Sequence, residues 1–322
     1  MNSNKVAPSR LVIALGGNAI SQTREEGNVD QQFSNSRKTA RALADLVQAG
    51  HQLVITHGNG PQIGNFLLRN EAGASRIYPL PMEVAVAHVQ GGMGFMIAQT
   101  LMNELNRRGD PRIVTAMVTT IVVDADDLAF RNPTKPVGRP LTREEADQFE
   151  RDEGWAVKEV SPDTYRRVVP SPVPRHIQEI ETIRRAVDAG DLVVACGGGG
   201  IPVLRDADDG FRGVRAVIDK DLASALLAAE LQADAMTILT NVERVCLDFG
   251  TPRSREIDRM TLSQARQWLQ EGQFPDGSMG PKIQGAVNFL DSTNKPDAYV
   301  AIGPLDRAVE AVAGQAGTRI TR

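Results

Sequence analysis

Short aliphatic runs that end in glycine recur along the chain: Leu11-Val-Ile-Ala-Leu15 before Gly16-Gly17, Leu53-Val-Ile-Thr56 before His57-Gly58, and Leu192-Val-Val-Ala195 before four glycines. Continuous apolar runs of this length, closed by turn residues, read as strands covered on both faces. Ile113 to Val123, Met236 to Thr240 and Ala298 to Ile302 are further strand candidates. Between them the apolar spacing becomes helical, over Ser36 to Ala49, Ile177 to Ala189 and Leu222 to Leu231. This alternation predicts an α/β fold with a mainly parallel sheet and helices on both faces. Two helix starts carry the reciprocal capping pattern, Thr142 with Glu145 and Thr261 with Gln264.

Two segments break the rhythm. Met82 to Arg108 is apolar nearly all round, with Gly91, Gly92 and Gly94 in its middle, so it reads as a helix of the core or of a subunit interface. Between Pro133 and Pro174 lie seven of the chain's 18 prolines, around a charged helix near Arg143 to Glu153. That stretch reads as an excursion from the sheet, a lid or small subdomain.

Composition narrows the function classes. The 322 residues are 41% hydrophobic and carry a formal charge of −4, as expected of an ordinary globular chain. No run of about 18 uncharged apolar residues occurs, and Met1 to Arg10 lacks the apolar core of a secretion signal, so a cytoplasmic protein is expected. Cys196, Cys246 and four histidines make neither a disulfide framework nor a zinc spacing, and no protein metal ligands are assigned. The mixed charge speaks against nucleic acid as the main partner, but leaves room for small anions bound by a local cluster of cations.

Three glycine turns follow three strands: Gly16-Gly17-Asn18, His57-Gly58-Asn59-Gly60-Pro61-Gln62, and Gly197-Gly198-Gly199-Gly200-Ile201-Pro202. Ligands of open α/β sheets bind beyond the carboxyl ends of strands, where a turn without Cβ atoms lets backbone N–H groups reach an anion. A phosphate or carboxylate site is therefore favoured. The GxxxxGK[ST] loop is absent, and the GxGxxG candidate from Gly58 has Ile63 in its sixth place. No serine or cysteine sits in a GxSxG elbow. His57, directly after a strand, is either functional or structural; His88 reads as a packed, hydrogen-bonded histidine and Cys196 as a small buried filler.

The lysines say more. Lys135 lies in the proline-stiffened Asn132-Pro-Thr-Lys-Pro-Val-Gly138, Lys220 just before a helix in Val217-Ile-Asp-Lys-Asp-Leu-Ala-Ser224, and Lys282 after Gly277-Ser-Met-Gly-Pro281. Phosphoryl transfer needs cations at fixed places, because donor and acceptor are both anionic and charge spreads over the oxygens in flight. Asp221 either holds two of these ammonium groups apart or caps the helix.

In order along nearly the whole chain, Leu15-Gly-Gly-Asn-Ala-Ile20, Thr56-His-Gly-Asn-Gly-Pro-Gln62, Asn132-Pro-Thr-Lys-Pro-Val-Gly138, Tyr165-Arg-Arg-Val-Val-Pro-Ser-Pro172, Cys196-Gly-Gly-Gly-Gly-Ile-Pro202, Val217-Ile-Asp-Lys-Asp221 and Gly277-Ser-Met-Gly-Pro-Lys282 resemble the motifs of carbamate kinases, within the amino-acid-kinase superfamily. The resemblance implies an open αβα sandwich and a homodimer. It also implies an acid-binding lobe over residues 1–190, with a protruding subdomain near 125–172, and a nucleotide-binding lobe over 191–322. The implied reaction is MgATP plus carbamate giving MgADP plus carbamoyl phosphate, reversibly, with Mg²⁺ arriving on the nucleotide. By motif position Gly16, Gly17, Asn18, Gly58, Asn59, Gly60, Gly198 and Gly199 would cradle carbamate and the phosphoryl group. Lys135, Lys220 and Lys282 would neutralise the phosphates, Asp221 would orient the lysines, and Thr240, Val242, Met279 and Lys282 would face the nucleotide.

The chemistry agrees, since carbamate carries its own anionic oxygen and requires positioning and positive charge rather than a general base. Two stretches depart from the family pattern, Lys158 to Thr164 and Gln90-Gly-Gly-Met-Gly-Phe95. The altered lid keeps open a kinase of another small carboxylate, and a third reading is a non-catalytic nucleotide or metabolite sensor on the same fold.

Overall fold

Along β1 (Arg10–Leu15) the side chains divide between two cores, Val12 and Ala14 entering one and Leu11, Ile13 and Leu15 the other. β2 (Gln52–His57), β9 (Leu192–Val194), β12 (Ala235–Thr240) and β16 (Tyr299–Pro304) divide in the same way, which is why their sequences are mostly apolar rather than alternating. The computed structural model describes residues 9–20, 25–208, 210–275 and 277–322. Among these, β3 (Val114–Ala116), β15 (Arg259–Thr261) and β17 (Thr318–Thr321) complete an eight-stranded sheet in the order β15-β17-β16-β12-β1-β2-β9-β3. Every pairing in it is parallel except β16 with β17. One face is covered by α1 (Val29–Gln48), α2 (Gly60–Gly73), α3 (Met82–Arg107) and α9 (Ala308–Val312), the other by α5 (Ile180–Asp188), α6 (Lys220–Glu230), α7 (Leu262–Gln270) and α8 (Met279–Ser292). This is the expected αβα sandwich.

A second sheet of four strands joins β4 (Thr120–Val123), β8 (Pro174–Ile177), β10 (Ile201–Arg205) and β11 (Phe211–Gly213), and β13 (Val245–Leu247) pairs with β14 (Arg255–Ile257). After β4 the chain leaves this body and returns in β8. Between them β5 (Lys135–Leu141), β6 (Ala156–Ser161) and β7 (Thr164–Val169) form a separate antiparallel sheet, with α4 (Arg143–Glu153) packed on it. The α4 start has the capping box read from sequence, with Glu145 N–H donating to Thr142 Oγ1 at 3.2 Å and Thr142 N–H to Glu145 Oε2 at 2.9 Å. The departure at residues 158–164 forms the exposed outer hairpin of this subdomain, at the far end of β7 from Val169, which pairs with Lys135.

Several boundaries differ from expectation. Ile113 to Val123 is not one strand but two in different sheets, because Thr119 captures the chain between them. Its Oγ1 accepts from Cys196 N–H at 2.7 Å and its carbonyl accepts from Ile201 N–H at 2.9 Å, bonds that take the place of a continuing ladder. The helix expected from Ile177 starts at Ile180, since Ile177 still pairs with Ile121 and Glu179 accepts from Thr120 N–H at 2.8 Å. α1 begins seven residues before Ser36, at an Asn28 and Gln31 capping box whose polar first turns hid it. α3 is buried on most of its surface but turns His88, Gly92, Phe95 and Gln99 outward in one stripe. His88 is thus exposed against the Phe66 ring, 5.5 Å between centroids, and is not the packed, hydrogen-bonded residue expected.

Candidate active site

The carboxyl ends of β1, β2 and β12 lie side by side, so their turns share one edge of the sheet. Gly16 N–H donates to Leu239 O at 2.9 Å, and a Cβ on Gly16 would stand 3.1 Å from that oxygen. Gly58 N–H donates to Leu15 O at 3.1 Å, while its open side faces Gly17 N and the Lys220 stem, both at 3.5 Å. Gly17 and Gly60 have open space where a side chain would be, and Gly60 is the first residue of α2. The glycines thus leave backbone amides uncovered beside a lysine. Asn18 lends its backbone to the 3₁₀ turn Gly17–Ala19, while its side chain lies outside the described part of the structure. Asn59 stands at the N-cap of α2 without capping it, and its buried Nδ2 has no hydrogen-bond partner.

The third turn serves mainly as a wall. Cys196, Gly198, Gly199 and Gly200 all have positive φ, and Gly199 N–H is taken up by Cys196 O at 3.1 Å. A Cβ on Gly197 would overlap the His57 ring, one on Gly198 the Asn59 amide, and one on Gly199 the Ile218 carbonyl. The buried glycine run therefore lets the exit of β9 close beneath the His57 to Asn59 turn. Gln90 ties α3 to the same place, its Nε2 donating to Gly197 O at 3.0 Å. Burial pushes the His57 imidazole down to about 4, with the Gly58 carbonyl opposing and the Lys220 charge assisting, so the ring is neutral near pH 7. Burial likewise pushes the Cys196 thiol up to about 12, an inert group.

The three lysines meet at the start of α6. Lys220 is its first residue and Asp219 its N-cap, with Oδ1 accepting from Asp221 N–H at 2.8 Å. The other oxygen of Asp219 accepts from Lys135 Nζ at 2.8 Å, joining the subdomain to the body. Asp221, only 3% exposed, pairs with Lys220 through one oxygen and with Lys282 Nζ through the other, at 3.1 Å. Lys282 reaches it because α8 lies close on α6 at Gly285, where a Cβ would come 2.7 Å from Asp221 O. Of the two roles open to Asp221, geometry gives it the lysines and gives the cap to Asp219. Burial depresses the Lys220 ammonium and Lys282 adds to this, with the Asp221 and Asp219 charges opposing. Burial alone would raise the Asp221 carboxyl, but the two ammonium groups outweigh it and hold it below the ordinary range.

Asp219 escaped the sequence reading, which began this helix at Leu222. An aspartate directly before the first helical residue was the available signal. On the C-terminal side of the same edge, Thr240 ends β12 beside Gly16, Val242 is 36% exposed, and Met279 opens α8. Among the described residues no group of three or more His, Cys, Asp or Glu is arranged to hold a metal ion, and no helix is long and apolar enough to cross a membrane. Chemically, the arrangement presents three ammonium groups and uncovered backbone amides to one edge, a set suited to fixing phosphate and carboxylate oxygens.

The sequence profile of the amino acid kinase family matches residues 9–301. A carbamate kinase of Pyrococcus horikoshii is 45% identical over 98% of this chain and 99% of its own. A carbamate kinase of Clostridium perfringens is 42% identical over 97% of this chain and 100% of its own. Among solved structures, the carbamate kinase from Giardia lamblia bound to AMP-PNP superposes with a TM-score of 0.90 at 40% identity, covering 98% of this chain and 99% of the other.

Proposed function

The chain belongs to the amino acid kinase family, and we propose that it is a carbamate kinase whose reaction is centred on the junction of Lys135, Lys220 and Lys282 with Asp219 and Asp221. That junction carries the reading, because it gathers three cations from three separate parts of the chain beside amides left bare by glycine.

The carbamate oxyanion attacks the γ-phosphorus of ATP; the new O–P bond forms as the bond to the β,γ-bridging oxygen breaks, and its electron pair leaves on ADP. No proton moves, so no base is required, and His57, buried and neutral near pH 7, is given no part in the transfer. Gly17 and Gly60 offer N–H groups to the acceptor and the moving phosphoryl group, with Gly16, Gly58 and the Asn18 and Asn59 positions completing the turns. Gly198 and Gly199 shape the wall behind them. Lys220 and Lys282 offset the charge that gathers on the phosphoryl oxygens, and Lys135 arrives from the subdomain to the same place. Asp221 supports the charge of Lys220 and holds the two body lysines apart. Thr240, Val242 and Met279 border the nucleotide, in keeping with the ATP analogue held by the Giardia lamblia enzyme. Mg²⁺ belongs to the nucleotide substrate, since it prefers phosphate oxygens and its own waters to a cage of side chains.

A homodimer fits the outward stripe of α3, where Phe95 is 58% exposed, and the nearby exposed Ile113 and Val118 that flank the edge strand β3. The activity is tested with MgATP and a panel of acceptors: carbamate formed from bicarbonate and ammonia, acetate and other small carboxylates, with ADP release coupled to an indicator enzyme. Carbamate-dependent ADP release is expected. A preference for another carboxylate would change the acceptor, and ATP binding without transfer to any acid would make the protein a sensor.

A further inference from the structure

Between the subdomain and α2 lies a cavity of about 550 Å³, away from the three glycine turns. The Trp155 indole borders it by its edge, one face stacked on Phe149 at 4.2 Å with 6° between planes and the other covered by Arg167 at 4.2 Å. Around the opening stand Arg167, Arg215, Glu71 and Glu153. Two cations and two anions line it, and among the described residues none of the four makes an ion pair. They do feel one another at longer range, the Arg167 guanidinium being depressed by burial and by Arg215 while Glu71 and Glu153 oppose. Burial raises the Glu71 carboxyl, with Arg139 and Arg167 opposing. Charges of both signs therefore border one cavity without an ion-pair partner among the described residues.

We propose that this cavity binds a small zwitterion of the α-amino acid type, its carboxylate on Arg167 and Arg215, its ammonium on Glu71 and Glu153, and its side chain on the apolar part of the lining. The volume is ample for one such molecule, and an apolar side chain suits the remaining lining, which includes Leu67, Leu80 and Met82. The floor includes Val169, the register partner of Lys135, so the site borders the strand pair that carries a lysine of the junction. The inference concerns binding alone and does not rest on the identity of the phosphoryl acceptor.

The chain has two tryptophans, and Trp268 packs on the opposite side of the sheet, so Trp268→Phe leaves emission reporting on Trp155 alone. In that background each common protein α-amino acid is titrated to millimolar concentration. A saturable change in emission is expected for amino acids with apolar side chains, L-leucine among them. The analogue without the amine, 4-methylpentanoate, and the one without the carboxylate, 3-methylbutylamine, each lose a charge-assisted contact and should bind about tenfold more weakly or worse. Arg215→Ala and Glu71→Gln, both outside the lysine junction, should abolish the change while leaving ATP formation at its basal rate. No saturable change with any amino acid overturns the proposal. Equal binding by either truncated analogue overturns it too, making the cavity a site for a simple anion or a simple cation.

Discussion

Replacing Asp221 with Asn probes the lysine junction while barely altering its shape. The carboxylate holds Lys220 on one oxygen and Lys282 at 3.1 Å on the other. At an effective dielectric of about 20, unit charges about 4 Å apart interact by ~4 kcal/mol, so a single anion between two cations offsets a repulsion of that order. An asparagine still accepts one hydrogen bond but contributes no charge. Lys220, already depressed by burial and by Lys282, then loses its largest supporting charge and falls further. A lysine sheds its charge as pH rises, so the variant's turnover should decline from neutral toward alkaline pH, where the parent stays flatter. Losing an aimed cation in a preorganised site costs about 2.7–4 kcal/mol of transition-state stabilisation, so kcat should fall on the order of 10²- to 10³-fold at alkaline pH, and less at pH 6. The assay is ATP formation from MgADP and carbamoyl phosphate across pH 6 to 9, with thermal melts to show that the variant is folded. A folded Asp221→Asn enzyme with parent-like kcat and an unchanged pH profile would refute the electrostatic role of the carboxylate.

Other consequences can be measured separately. Lys135→Ala should lower turnover by on the order of 10²-fold with little loss of stability, because its side chain is partly exposed and sits on a subdomain strand; steady-state kinetics and a thermal melt read both. Gly285→Ala places a methyl 2.7 Å from Asp221 O, which should push α8 off α6, cost about 1–3 kcal/mol of stability and reduce kcat by displacing Lys282; denaturant melts with kinetics check the pairing. The His57 ring titrates near 6.5 when unfolded and near 4 when folded, so the unfolded state binds more protons as pH falls between these values and stability is lost there. At about 1.4 kcal/mol per unit, the step from pH 6.5 to 5 should cost ~2 kcal/mol in the parent, and His57→Gln should flatten it in urea melts.

How much of this was legible in the sequence depended on range. The central strands of the main sheet were visible because each is buried on both faces, which favours a mostly apolar run, and the α4 and α7 starts because capping boxes are local. Thr119 was not legible as a strand breaker, since its partners Cys196 and Ile201 lie far along the chain. The lysines stood out through their rigid glycine or proline flanks, and family motifs named them. Their connection did not show, because Lys135 meets Asp219 across 84 residues and Lys282 meets Asp221 across 61. Asp219 was lost by starting α6 two residues late, a small boundary error that transferred the cap to the wrong aspartate. Gly198 and Gly199 were assigned to the ligand by motif position, and their close packing against Asn59 and Ile218, which also demands glycine, was not legible because those partners lie far along the chain.

The central claim is phosphoryl exchange between carbamoyl phosphate and ADP at the lysine junction. Purified protein mixed with MgADP and fresh carbamoyl phosphate, with ATP followed by a luciferase readout, tests it in the direction that avoids unstable free carbamate. The account predicts rapid ATP formation that collapses in Lys135→Ala. ATP formation that survives this substitution unchanged, or none from folded protein that binds ADP, would contradict it.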